Sequence, residues 1–359
     1  MSSWREPESS VLFSIAGGRG FGIVTITVEL GFHSFHSEVN VLAEGAGQPV
    51  VFAAADVGSN ATKVMVWEIA GDRSVRERFQ NRFPLRLDDV FRAGQIEPPT
   101  VARLIETFLE IADIGRRHGA AEVRAVATEA FRSARNSPAV AEAITLETGI
   151  ELQVISPEEE TRLVVAGVLL DMPVRGNDFV ILDIGGGSAQ ITVCGRGSGQ
   201  GSAGTAPVFP VVSLALGAVR LREMFIHGDP IAPGDFEALR EHVEAAVPLG
   251  TASLTGQWSS CAVGCGGGVR FLHAMCGIQS GALSQDQPFR LGQLEHLCEA
   301  IWHMPIEALV RHYGIDRERA EIIVPGAVVL LKLMKHLKVN ELRPSRRGVR
   351  DGLLADFLA

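Results

Sequence analysis

The chain has 359 residues, 46% hydrophobic and 21% charged, which is ordinary globular usage and enough length for two domains with cores of their own. A disordered chain is thereby excluded. The net charge of −9 argues against a general nucleic-acid coat, which presents a basic face, so any polyanion the chain handles has to meet a local basic pocket.

In chain order, residues 11–32 are apolar enough to raise the question of a membrane span or signal peptide. Arg19, Glu29 and repeated glycines interrupt them, with no basic leader and no small-residue cleavage pattern. No membrane association is expected. Residues 21–30 alternate as a half-buried strand would, so 1–50 reads either as an added hairpin or as a poorly ordered extension. Residues 51–69 are an apolar strand running into Asp56-Val57-Gly58-Ser59-Asn60-Ala61-Thr62 and a second β-like run. A polar stretch with Pro84, Pro98 and Pro99 follows, read as loops with one further strand. From Thr100 as N-cap, Val101, Leu104, Ile105, Phe108 and Ala112 share one face of a helix that ends near Gly119. A short strand over 123–128, a helix opened by Ser137-Pro138 and closed by Gly149, and a strand over 150–155 complete an alternating α/β pattern.

Ser156-Pro157-Glu158-Glu159 has the form of a capped helix start, with Ser as N-cap, Pro at the first position and Glu159 completing a capping box. Glu158 and Glu159 are thus explained by the cap, whereas Glu160 and Arg162 stay open for chemistry. Residues 179–194 then repeat the plan of 51–69, a strand entering Asp183-Ile184-Gly185-Gly186-Gly187-Ser188 and a second β-like run. Glycine permits the tight turn, successive N–H groups are left free to face an anion, and the leading Asp is a hard oxygen ligand of the kind Mg²⁺ accepts. One such turn is weak evidence. Two suggest duplicated halves facing each other across a cleft.

Beyond a Gly/Ser-rich loop over 195–204, residues 212–224 form a turn into a helix, and 261–265 a strand entering Gly266-Gly267-Gly268 and an apolar helix. This is a third place where N–H groups at a helix start could hold an anion. A buried helix over 322–335, a short strand over 339–342 and a terminal helix over 348–358 end the chain. The five cysteines, Cys194, Cys261, Cys265, Cys276 and Cys298, make no paired framework and fit a reducing, cytoplasmic setting. Cys261 and Cys265 read as buried thiols.

The ordered set DVGSNATKV at Asp56, VATEAFRSARN with Arg132, VISPEEETRL with Glu160, ILDIGGGSAQITV at Asp183, SLALGAVRL with Arg220, VGCGGGVRFL at Gly264 and RRGVRDGLL near the end resembles the Ppx/GppA family. These are exopolyphosphatases and guanosine pentaphosphate phosphohydrolases in a short, two-domain form. The resemblance implies an α/β fold of two ribonuclease-H-like domains of the actin-like ATPase superfold with an interdomain cleft. Residues 51–158 with 340–359 would form domain I and 159–339 domain II. It implies hydrolysis of a terminal phosphoanhydride of inorganic polyphosphate or guanosine pentaphosphate, a task of positioning and charge neutralisation. Glu160 would orient or deprotonate the water and Arg132 would clamp phosphate oxygens bidentately. Asp56 and Asp183 would hold Mg²⁺, and the N–H groups of Gly58, Ser59, Asn60, Gly185, Gly186, Gly187 and Ser188, with Gly266 and Gly267, would bind phosphates. Dimerisation is common in the family.

The chain departs from the family pattern in three places. Ala189 and Gln190 stand where Thr-Glu is usual, Ala61 replaces a Ser, and Gly268 stands where Thr or Ser is common. The missing carboxylate at Gln190 motivates a rival reading, a binder of polyphosphate or alarmone nucleotide that does not hydrolyse it. A chaperone or sugar kinase of the same superfold lacks support, for want of a peptide-binding domain or a sugar-site signature. Arg220 reads as an anchor of its own turn or a secondary phosphate contact. Arg343, Arg346, Arg347 and Arg350 could form part of a basic track, and Arg350 with Asp351 could tie down the last helix.

Overall fold

The computed structural model describes residues 12–16, 22–30 and 33–41 as backbone strands, and residues 49–170, 179–194, 211–254, 261–280 and 287–359, except for the side chains of 88, 89, 261 and 280. The Gly/Ser-rich stretch 195–204 lies outside the described residues. Strands β1 (Leu12–Ala16), β2 (Gly22–Leu30) and β3 (His33–Val41) make a separate antiparallel sheet in the order β1-β2-β3, the hairpin option for the N-terminal segment with one strand more.

The first main sheet contains β4 (Val50–Val57), β5 (Ala61–Ile69), β6 (Val75–Pro84), β7 (Glu122–Ala127) and β8 (Leu152–Val154) in the order β6-β5-β4-β7-β8. The second contains β9 (Phe179–Ile184), β10 (Ala189–Cys194), β11 (Val211–Leu214), β12 (Cys261–Cys265), β13 (Phe289–Arg290) and β14 (Glu341–Pro344) in the order β11-β10-β9-β12-β14-β13. Each half therefore opens with an antiparallel meander whose first strand then pairs in parallel on its other side, β4 with β7 and β9 with β12. The two halves share one ribonuclease-H-like topology, and the second adds β13 at its edge.

The apolar runs at β4 and β9 dictate their central places. Phe52, Ala53, Ala54, Ala55 and Val57 are buried on both faces, as are Val180, Ile181 and Leu182. The polar β6 takes an edge, where its charged side chains reach solvent. The stretch containing Pro84, Pro98 and Pro99 holds more order than its composition suggests. A short helix forms over Asp88–Ala93, and the next helix runs from Pro98 to His118, because proline in a first turn loses no hydrogen bond it could have made. Its end at Gly119, in the left-handed region at φ 70°, is where glycine placed it.

Two helices lie between the sheets, Pro157–Leu169 and Val349–Leu358. Ser156 caps the first by accepting the Glu159 N–H at 3.2 Å. The Glu159 side chain, expected to reach back in a capping box, instead receives Arg162, which also bonds Asp356 on the terminal helix. The two helices approach at glycines: a β-carbon on Gly167 would lie 2.5 Å from the Gly348 carbonyl oxygen, and one on Gly352 would overlap the Leu163 backbone. With Phe52, Met65, Trp67, Ile181 and Val263 they enclose a core shared by both sheets, in which Phe357 stacks on Phe52 at 4.4 Å. Residues 341–344 complete the second sheet, so the chain returns to the first half after Pro344. Cys194, Cys276 and Cys298 are buried free thiols whose pKa is pushed up to about 12 by desolvation, which makes them inert packing groups.

Candidate active site

Both acid-led turns and the third glycine turn open onto one cleft, of about 180 Å³, between the sheets. Asp56, Gly58, Ser59, Asn60, Glu160, Asp183, Gly185, Gly186, Gly187, Ser188, Gly266 and Gly267 all line it. The turns are built alike. The Gly58 N–H closes on the Ala61 carbonyl at 3.2 Å and the Gly185 N–H on the Ser188 carbonyl at 2.9 Å. Those two N–H groups are consumed inside their own turns, which corrects the expectation that every glycine of the motifs could present its N–H to a phosphate. Ser59, Asn60, Gly186 and Gly187, whose N–H groups do not close their own turns, line the cleft, with Ser59 and Gly187 buried and Asn60 and Gly186 half-buried.

The turns abut across the cleft. A β-carbon on Gly186 would fall 2.9 Å from Ser59 Cβ, and one on Gly187 would fall 2.8 Å from Ser59 Oγ and 2.6 Å from Glu129 Cγ. Only glycine fits in either place with the halves in this arrangement. The helix Ala218–Phe225 pins the second turn from behind: the Val219 and Arg220 N–H groups donate to the Gly186 carbonyl, and Arg220 Nε donates to the Gly187 carbonyl at 2.9 Å. Gly266, at φ 88°, brings the start of the helix Gly266–Ser280 against Asp183, where a β-carbon would sit 3.0 Å from Oδ1.

Glu160, in the first turn of its helix, is buried at the cleft wall. Its Oε2 accepts from Arg132 Nη2 at 2.8 Å, and Oε1 is not used in that pair. Burial is the largest influence on its carboxyl and raises its pKa to about 7; Arg132 opposes that rise, and Asp183 and Asp56 add to it. Asp183 is likewise raised, to about 6, by burial and by Asp56 against the pull of Lys63. Arg132 does not line the cleft directly. It stands behind Glu160, donating Nη1 to the Ile155 carbonyl at 2.8 Å and sharing Nη2 between Glu160 and Glu129, the latter at 3.0 Å.

Lys63, Glu129 and Arg270 line the cleft, yet none is prominent in the motifs. Lys63 faces Asp56 in the β4/β5 register, and both Asp56 and Asp183 act on its charge. Counting residues across the hairpin from Asp56 would have found it. Glu129 and Arg270 become visible only once the halves are assembled. Of the arginines near the end of the chain, Arg346, Arg347 and Arg350 line the cleft and Arg343 does not. Arg347 is tied to Asp351 at 2.9 Å, whereas Arg270 and Arg346 form no ion pair with a carboxylate among the described residues.

The donor set bears on whether a divalent cation could sit here. Among the described residues no group of three acidic, His or Cys side chains is placed to cage a metal. Mg²⁺, however, needs only one or two carboxylates beside waters and substrate phosphates. Asp56 and Asp183 supply two in mutual repulsion, and the buried Asn60 Oδ1 is an oxygen with no hydrogen-bond partner. The residues fit such an ion. At the position of the usual third carboxylate, Gln190 accepts from Thr161 Oγ1 at 3.0 Å and leaves its buried Nε2 unpaired.

A duplicated α/β fold with acid-led glycine turns facing one cleft and a buried carboxylate between them is the architecture of the actin-like ATPase superfold. The model of the Ppx/GppA phosphatase family matches residues 75–359, and the chain belongs to that family. Among curated relatives it is 28% identical over 305 residues to exopolyphosphatase 1 of Mycobacterium bovis, covering 83% of this chain and 86% of that protein. It is also 28% identical over 315 residues to the guanosine-5′-triphosphate,3′-diphosphate pyrophosphatase of Pseudoalteromonas atlantica, covering 86% of this chain but 58% of that longer protein. Among solved structures, an exopolyphosphatase from Cytophaga hutchinsonii superposes with a TM-score of 0.73 at 22% identity, covering 86% of this chain and 97% of that one. The Aquifex aeolicus family member gives 0.69 at 22% identity, covering 87% and 98%. At these identities the structures speak for the fold. No described helix is long and apolar enough to cross a membrane.

Proposed function

We propose that the chain hydrolyses the terminal phosphoanhydride of inorganic polyphosphate or of guanosine pentaphosphate, with Glu160 as the base. The observation that carries this reading is the environment of Glu160, a buried carboxylate at the cleft wall whose pKa of about 7 suits proton abstraction near neutral pH. With Oε2 held by Arg132, Oε1 is the oxygen that takes the proton of the attacking water. Arg132 keeps the carboxylate oriented and, once freed from Glu129, offers a planar fork to the phosphate oxygens. The N–H groups of Ser59, Asn60, Gly186 and Gly187, which do not close their own turns, would cradle the chain from the two halves. A Mg²⁺ ion held by Asp56 and Asp183 would neutralise charge on the phosphate oxygens. Arg270 and Arg346, which form no ion pair with a carboxylate among the described residues, offer compensation to further phosphates, which favours an extended inorganic chain over a nucleotide.

Gln190 supports a second reading, a sensor that binds the same ligands without turnover, because the charge usual at that position is replaced by an amide engaged with Thr161. Phosphate release from long-chain polyphosphate and from guanosine pentaphosphate, side by side with Mg²⁺, separates the two. Hydrolysis is expected, with Glu160→Gln slower by about 10²–10⁴-fold while still binding substrate. Tight binding by the wild type with no release would establish the sensor. Release by Glu160→Gln at the wild-type rate would remove Glu160 as the base.

A further inference from the structure

We propose that Arg132 and Arg220 form a phosphate-binding position spanning the cleft, and that the Glu129 carboxylate fills it in the free protein as an internal stand-in for phosphate. Three donors converge on this one side chain. Arg220 Nη2, from the second half, donates to Glu129 Oε1 at 2.7 Å, Ser133 Oγ donates to the same oxygen at 3.1 Å, and Arg132 Nη2 donates to Oε2 at 3.0 Å. Two guanidinium groups and a hydroxyl around an oxyanion are the donor set by which proteins grip phosphate.

The surroundings also suit an anion. Glu129 lies against Gly187, whose missing side chain makes the room, and Ser59 Oγ borders the same space. The Arg220 Cζ lies over the Phe91 ring, 4.3 Å from its centroid, while its Nε donates to the Gly187 carbonyl, so the guanidinium is held in place before any ligand arrives. Arg132 Nε is buried with no acceptor, so the Glu129 and Glu160 carboxylates leave this guanidinium incompletely satisfied. Glu129 and Arg220 come from different halves, so their ion pair also ties the two halves together.

A single phosphate must displace a carboxylate already present at very high local concentration, and it meets that carboxylate's negative charge on approach. A chain already held at the glycine turns has the same advantage of proximity and can exchange its own phosphate for Glu129. The free protein should therefore discriminate against inorganic phosphate, the product, in favour of a tethered phosphate group. The proposal rests on the phosphoanhydride reading for its natural ligand, but its test does not require turnover.

The test is isothermal titration of inorganic phosphate into the full-length wild type, Glu129→Gln, Glu129→Ala and the double variant Glu129→Gln/Arg220→Ala, with circular dichroism to verify folding. Loss of the competing charge-assisted bonds should tighten phosphate binding by about tenfold or more in both single variants. The double variant should lose that gain, because one wall of the position is gone. Equal phosphate affinity in wild type and single variants, weaker binding in them, or a gain that persists without Arg220 would each overturn the proposal. A catalytically silent protein that shows the gain would refute the hydrolytic function and leave the anion position standing.

Discussion

Glu160 offers a quantitative prediction. Its carboxyl is raised from 4.5 to about 7, chiefly by burial. Such a displacement corresponds to about 3 kcal/mol between the two protonation states, to order of magnitude. For an acid held above its unfolded value, the native state binds the extra proton between the two pKa values. The unfolding free energy therefore falls as pH rises through that window, from about 4.5 to about 7. Relative to Glu160→Gln, which cannot titrate there, the wild type should lose on the order of 2–3 kcal/mol of stability between roughly pH 5 and pH 8. Asp183 also titrates in this range but is present in both proteins, so the comparison largely cancels it. Urea unfolding of the two proteins across pH measures the difference, and the acid limb of kcat/KM for the wild type should fall about tenfold per pH unit below about 7. Replacing Arg132 by Gln removes the group that holds Glu160 down and should make the stability loss larger. Parallel stability curves for wild type and Glu160→Gln, or an acid limb in the ordinary carboxylate range, would refute this description of the site.

Other consequences follow from the same contacts. Gly187→Ala places a methyl against Glu129 Cγ and Ser59 Oγ and should pry the halves apart; small-angle scattering should show a larger particle and phosphate release should drop by about tenfold or more. Gly352→Ala drives a methyl into the Leu163 backbone and should cost about 1–3 kcal/mol or more in denaturant unfolding; unchanged stability would contradict this helix contact. Chelation by EDTA should stop phosphate release and added Mg²⁺ restore it, if Asp56 and Asp183 hold the ion; undiminished release in EDTA would count against that assignment. Lys63→Met removes the cation that restrains Asp183 and should raise that residue's pKa further, which titration of the Asp183 carboxyl by NMR would show as a shift to higher pH; an unmoved or lowered midpoint would contradict it.

Much of the site was legible because its chemistry is local. A strand, an acid and glycines in succession can be read from sequence, and Ser156-Pro157 locates a helix start that puts Glu160 in a first turn. Contacts made by assembly were not legible. Glu129 and Arg220 are far apart in the chain, and only the close approach of Gly187 to Ser59 brings them within bonding distance. Resemblance proposes Arg132 as a phosphate ligand, yet its bonds to Ile155, Glu129 and Glu160 depend on the packing of three segments and could not be read from sequence. The helices Pro233–Gly250, Leu291–Ile301 and Ile306–Tyr313, which pack around the second sheet, lack turn signals as distinctive as those at the glycine motifs. Pro98 and Pro99 misled in the opposite sense, since the same residue that breaks a helix interior is welcome in its first turn.

The most direct test is a crystal structure of Glu160→Gln grown with inorganic polyphosphate and Mg²⁺. The chain should lie between the Gly58–Asn60 and Gly185–Ser188 turns, with its terminal phosphorus facing residue 160 and an oxygen on Arg132 in place of Glu129. A chain bound on another surface, or threaded with its end remote from residue 160, would contradict the assignment of this cleft as the site of hydrolysis.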